Sequence, residues 1–398
     1  MHKSPANLRR MPPASETRLQ PWQVLAGGIC ALVITVGVAR FAYTPLLPQM
    51  HAQVGLGVAD GGLLAAINYA GYMSGALLAA WIENPVWRQR LYSWGLPLAL
   101  VITALMGWST NFGVWALSRY VGGLCGAAGM LLGSGLVQGW LIRAGHRPEL
   151  GLYFIGLGLG IVVSALGAMG MTGAGLGWAA QWQGFALIGV VFLIPAWIWR
   201  PPVPPPAARH ANGAAPSRRW MALMVAAYFC AGWGFVINAT FTVAIVEKQP
   251  LLAGQGPWAW LLVGLAATPA VFVWDRIARR TGDVGALLIA FGLQIVGVLL
   301  PALVDGLAAA LAGALLYGAT FIGIVSLTLA LVGRRSPANP GKAMARLTLS
   351  YGVAQISAPA LTGRMVEASG SFHAALWLTA AVLAAGMLVL LAVLREPR

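Results

Sequence analysis

The chain has 398 residues, of which 59% are hydrophobic and only 9% charged, with a mean hydropathy of +0.76. So apolar a composition exceeds what a soluble domain needs and reads as an all-α polytopic membrane protein. The formal net charge of +15 sits in short gaps at alternate ends of apolar runs, with no compact basic domain, which argues against nucleic acid as a partner.

The N-terminal tail, residues 1–21, is basic and proline-containing. The run after it is too long for a signal-peptide core and lacks a small-residue cleavage site, so it reads as a retained first helix. The predicted spans are Trp22–Pro48, Val58–Ile82, Leu91–Ser109, Phe112–Trp140, Glu149–Met171 and Trp182–Trp199, which make an N-terminal bundle over 22–199. Residues 200–220, rich in proline and arginine, cannot span and read as an extended linker. Met221–Val246, Pro257–Ile277, Val284–Val304, Leu307–Val332, Ala343–Ala368 and Phe372–Leu394 make a second bundle over 221–394, with a tail over 395–398. Roughly 20 apolar residues per span makes about a dozen helices reasonable for this length.

Basic residues set the orientation. Arg9, Arg10, Arg88, Arg90, Arg143, Arg147, Arg276, Arg279, Arg280, Arg334 and Arg335 fall on one side with both tails and the linker, while Lys248 and Arg364 fall on the other. By the positive-inside rule both termini are cytoplasmic, which suits a bacterial inner membrane. Cys30, Cys125 and Cys230 lie inside apolar runs with no disulfide or metal-binding spacing, and no cofactor is expected.

Two arginines remain inside the apolar runs, Arg40 and Arg119, with no mid-span acid or histidine to balance them. A cation there costs between about 3 and 17 kcal/mol unless it finds a partner, a wet cavity or a ligand. Pro45 and Pro48 come soon after Arg40 and are expected to end the first helix or loosen its outer part.

Two groups of six spans about a basic linker resemble the major facilitator superfamily. Arg119-Tyr-Val-Gly122-Gly123-Leu-Cys-Gly126 resembles that superfamily's fourth-helix motif. Gly37-Val-Ala-Arg40-Phe-Ala-Tyr43-Thr44-Pro45-Leu-Leu-Pro48 resembles the first helix of its YbfB/YjiJ-type bacterial branch, and Gly234-Phe-Val-Ile-Asn238-Ala-Thr240-Phe241 the seventh. The second-to-third-helix loop departs from the superfamily's pattern, with Ala79 where an aspartate is expected. The resemblance implies a major facilitator fold and a central cavity walled by the first, fourth, seventh and tenth helices; a monomer is expected.

Counting about 1.5 Å of rise per residue places Arg40, Arg119, Asn238 and Tyr317 at one level, roughly 10–15 Å from the outer ends of those helices. With Tyr43, Tyr69 and Thr240 they form the expected substrate site. The alternative for each arginine is snorkelling to the headgroups, and for each neutral residue an interhelical hydrogen bond. Tyr351 and Gln355 are expected to be packing contacts. Asp60 and Glu149 are the nearest candidates for proton coupling, against a simpler role as helix-start carboxylates. The function expected is secondary transport of a small organic solute with an acidic end by alternating access. A multidrug or metabolite exporter and a non-transporting sensor are the alternatives, and a membrane enzyme lacks convergent acid, base and nucleophile.

Overall fold

The computed structural model describes residues 19–146, 150–203, 216–249, 252–336 and 340–396. Most of the predicted N-terminal tail and of the predicted linker lie outside these residues. Twelve helical segments run in order: α1 Pro21–Val54, α2 Val58–Trp81, α3 Pro85–Met106, α4 Phe112–Arg143, α5 Leu150–Gly173 and α6 Trp178–Ile198. They continue as α7 Arg218–Glu247, α8 in two pieces (Gly256–Ala267 and Ala270–Thr281), α9 Asp283–Leu303, α10 Leu307–Arg335, α11 Pro340–Ser369 and α12 His373–Leu394. Among the described residues nine of these are each long and apolar enough to cross a membrane, and the bent α8 pair makes ten. Helix α3, with Arg88 and Arg90 in its first turns, and the more polar α11 complete the set by packing.

The packing repeats between halves. In the first half α1 lies against α5 and α6, α2 against α4, and α3 against α4 and α6. In the second, α7 lies against α11 and α12, α8 against α10, and α9 against α10 and α12. The halves meet along α2–α11, α5–α8 and α1–α7. Large apolar side chains such as Leu187, Val191 and Leu388 are about two-thirds exposed; on these helices they face the acyl chains, while the inward faces bury further apolar side chains together with the few polar groups of the spans.

Two predicted boundaries change. The first helix does not end at Pro48: it runs through both prolines to Val54. Over Val33–Phe41 it widens to π turns, with the Ala42 N–H donating to the Gly37 carbonyl at 2.9 Å. The chain stops instead at Gly55, φ +69°, whose N–H donates to His51 while Leu56 reaches back to Met50. The bond from the Gly55 N–H to the His51 carbonyl makes this an αL ending, which needs a left-handed residue and so favours glycine. The eighth span is not continuous either. Pro269 has no N–H to give and its ring crowds the preceding turn, and the two pieces of α8 meet at a 50° bend.

A second π stretch, Ala128–Gly133, lies in α4. Gly129 within it packs directly on Thr35 in the π stretch of α1, a contact that leaves no room for a Cβ. Local widening of this kind recurs at functional sites, and here both stretches border the same cavity.

Candidate substrate site

Between the two halves lies a cavity of about 940 Å³, at the upper end of what small-molecule sites occupy. Val36, Arg40 and Phe41 of α1 line its deep end, with Tyr72 of α2 and Phe235 of α7. The opposite end is the mouth, bordered by Gln138, Asp275, Asp283 and Arg334 on the side that carries the basic loops. The mouth charges are consumed by one another: Arg334 pairs with Asp283 at 2.7 Å, and Arg279 holds Asp275 at 2.7 Å.

The other side is shut. Thr44 donates its hydroxyl hydrogen to the Ala239 carbonyl, joining α1 to α7. Trp260 of α8 donates its indole N–H to Ser164 of α5 at 2.9 Å. Gly62 of α2 packs on the Pro359 carbonyl of α11, and Gly363 of α11 on Ala59 of α2. Backbones approach this closely only where a Cβ is missing, so the glycines set the fit of the seal.

Arg40 is the charged group at the deep end. Its guanidinium carbon stands 4.1 Å from the ring centre of Tyr69, 5.3 Å from Tyr72, and 5.8 Å from both Phe41 and Phe235. Ring quadrupoles attract a cation at these distances. They do not accept its N–H groups: Nε and Nη2 are buried and have no hydrogen-bond partner among the described residues. A buried donor left in that state is expensive, and it belongs at a site whose partner arrives from outside.

Arg119 is held differently. Its Nη1 donates to the Ala39 carbonyl at 3.1 Å and its guanidinium lies 4.3 Å from the ring centre of Tyr43, leaving a buried Nε without a hydrogen-bond partner among the described residues. Its own carbonyl accepts from the Asn68 side chain at 2.7 Å. Arg119 therefore ties α4 to α1 and α2 beside Arg40, and it is not on the cavity wall.

The expected polar layer thus separates. Arg40 lines the cavity, with Tyr69 beneath its guanidinium. Arg119 and Tyr43 lie behind the wall, where Tyr43 donates to the Gly61 carbonyl at 2.8 Å. Asn238 and Tyr317 line a separate pocket of about 20 Å³ against α9, and the Tyr317 hydroxyl donates to the Phe235 carbonyl at 3.0 Å. Thr240 is buried and lines neither space. The reason is geometric: residue count along a helix fixes depth, but each step also turns about 100°, and depth does not say which way a side chain faces. Asp60 is exposed in the first turn of α2, away from the cavity, and Glu149 lies outside the described residues.

The wall also holds residues that depth alone does not select. Tyr351 and Gln355, expected to be packing contacts, line the cavity, as do Tyr228, Phe235 and Phe321. Their spacing carries a signal. Tyr228 and Phe235 are seven apart, and Tyr351 and Gln355 four apart, so each pair shares one helix face.

The comparisons with known proteins agree with this architecture. The family described as "Uncharacterised MFS-type transporter YbfB" matches residues 32–391. Among solved structures, a variant of the nucleoside transporter NupG superposes with a TM-score of 0.75 at 14% identity, covering 94% of this chain and all of that one. A bacterial homolog of the human lysosomal transporter Spinster, in an inward-facing and occupied conformation, gives 0.69 at 16% identity over 96% of this chain and 98% of that one. The human organic anion transporter MFSD10 gives 0.66 at 16% identity over 96% and 100%. At these identities the likeness concerns the fold. The "Uncharacterized transporter mfc1" of Schizosaccharomyces pombe is 22% identical over 160 residues, 38% of this chain and 32% of that protein, so the match spans about a third of its length. The chain belongs to the YbfB-type family of major facilitator transporters, multi-pass membrane proteins that carry small molecules and are not enzymes.

Proposed function

We propose that this transporter moves a small organic anion by alternating access, and that Arg40 is the group that binds it. The observation that carries the reading is the buried Arg40 guanidinium on the cavity wall with Nε and Nη2 unpartnered. An anion satisfies both the charge and the donors, and a carboxylate does so with two parallel hydrogen bonds. Arg119, bound to a backbone carbonyl, serves in this reading as a tether and not as a second ligand.

The basic loops at the cavity mouth support a cytoplasmic mouth, with both termini on the same side, in a bacterial inner membrane. The present state is then open to the cytoplasm and sealed outside by α2–α11 and by the Thr44–Ala239 bond. Transport requires that seal to open while the mouth closes, by rocking of one half against the other about a site near the midplane. One copy contains the whole cavity, which supports a single chain as the working unit.

A screen of purified protein for thermal stabilisation by organic acids tests this. Ligand binding to the folded state raises stability by RT ln(1 + [L]/Kd). A stabilising acid is expected, and its effect should vanish in Arg40→Ala. An acid that stabilises wild type and Arg40→Ala equally removes the role given to Arg40.

A further inference from the structure

The chemistry of the cavity wall narrows the anion to a class, provided that Arg40 is the group that binds it. We propose that the site takes a single-headed amphiphile: one carboxylate at Arg40 and an extended apolar, preferably aromatic, body directed toward the mouth, with dianions rejected.

The head is specified by the edge that is free. Nε and Nη2 lie along one edge of the planar guanidinium, and their N–H bonds on that edge run nearly parallel, a spacing that fits a planar carboxylate. The chain itself uses that edge elsewhere: Nε and Nη2 of Arg279 hold the same Asp275 oxygen at 3.0 and 2.7 Å. In Arg40 both atoms are shut off from solvent as well as from protein. The head therefore engages them as the surrounding rings give way, which links head binding to a rearrangement of the deep end.

The limit of one charge comes from the remaining cations. Arg119 gives Nη1 to the Ala39 carbonyl, and its one unpartnered donor, Nε, lies off the wall, where a cavity ligand does not reach it. Arg334 is committed to Asp283, and the other lining carboxylate, Asp275, repels anions where it is not screened by Arg279. Among the described lining residues, Arg40 is thus the one charge without a partner of opposite sign. A second carboxylate would lie against apolar wall or beside the mouth acids, and a buried charge without a partner is disfavoured.

The body is specified by what lies between. Phe235, Phe321, Tyr228 and Tyr351 line the space beyond Arg40. Phe235 packs 5.2 Å from Phe321 and 6.0 Å from Tyr351, ring centre to ring centre. From Phe321 to Arg334, α10 rises roughly 20 Å at 1.5 Å per residue. That run leaves length for a body of several carbons or a ring, whereas a short acid would leave most of the cavity to water.

The test uses the full chain in lipid nanodiscs and compares apparent affinities, from ligand-induced thermal shifts, for four compounds. Phenylbutyrate has one head and a ring, phenylbutyramide the same body without charge, phenylenediacetate two heads, and butyrate no ring. Phenylbutyrate is expected to bind, with the other three weaker by about tenfold or more, and Arg40→Lys should erase most of the acid's advantage over the amide. If phenylenediacetate or butyrate binds as well as phenylbutyrate while the acid still outperforms the amide, the single-headed class is wrong and the anion reading stands. If the amide equals the acid in wild type, both fall. Binding by none of the four also overturns the class. The acid-to-amide ratio in wild type needs no variant, so a poorly folding substitution does not blunt the result.

Discussion

The Arg40 guanidinium carbon lies 4.1 Å from the ring centre of Tyr69, and this contact holds a buried cation on the cavity wall without neutralising it. An acid in Tyr69's place would pair with Arg40 and leave nothing for a substrate. A ring stabilises the charge and keeps its donors free. Tyr69→Phe should therefore behave as wild type in thermal stability and ligand response. Tyr69→Leu should lose about 1–2 kcal/mol of stability, measured as a lower melting temperature that Tyr69→Phe does not share.

Arg40 and Arg119 should respond in opposite ways to substitution. Arg119→Ala leaves the Ala39 carbonyl without its charged donor, and loss of such a bond costs about 1.5–3 kcal/mol. The melting temperature is expected to fall, while the protein that remains folded keeps its ligand-induced shift. Arg40→Ala is expected to lose the ligand-induced shift. Scanning both variants with and without a stabilising acid separates the two roles.

The seal opposite the mouth rests partly on the Thr44–Ala239 hydrogen bond. Thr44→Val keeps the shape and removes the donor, and one such bond contributes about 1 kcal/mol. The population with that side open should rise about fivefold. In a background lacking Cys30, Cys125 and Cys230, an Ala59→Cys reporter at the α2–α11 contact should react correspondingly faster with a membrane-impermeant maleimide. An unchanged rate would mean that the bond does not hold the seal.

Gly363 gives a stronger version of that experiment. A Cβ there would lie 2.9 Å from the Ala59 Cα, backbone that cannot step aside as a flexible side chain would. Gly363→Val should hold α2 and α11 apart, favour the state open on that side, and abolish transport while the protein still inserts and folds. Cross-linking between cysteines at the cavity mouth should increase in the same variant.

Membrane class, helix order and the energetic problem shared by Arg40 and Arg119 are legible in the chain, because each rests on local composition. A run of apolar residues is a span wherever it occurs, and an arginine inside one has an energetic problem whatever its neighbours. What requires the structure is direction. Arg40 and Arg119 look alike by depth, but one faces the cavity and the other a backbone carbonyl. Pro48 looks like a terminus, yet the helix carries it within Tyr43–Val54 and Gly55 does the ending. Pro269, by contrast, lies where the chain does bend. The aromatic surroundings of Arg40 combine α1, α2 and α7, and no spacing within one helix announces a cage assembled from three.

The central claim is that Arg40 binds the transported anion, and counterflow into proteoliposomes tests it most directly. Wild-type protein and Arg40→Gln would be reconstituted at matched density, with labelled phenylbutyrate, or whichever acid stabilises most, on one side and excess unlabelled acid on the other. Binding at Arg40 predicts protein-dependent exchange in wild type and at least about a tenfold loss in Arg40→Gln, since a neutral amide cannot form the charged pair. Exchange by Arg40→Gln at the wild-type rate would contradict it.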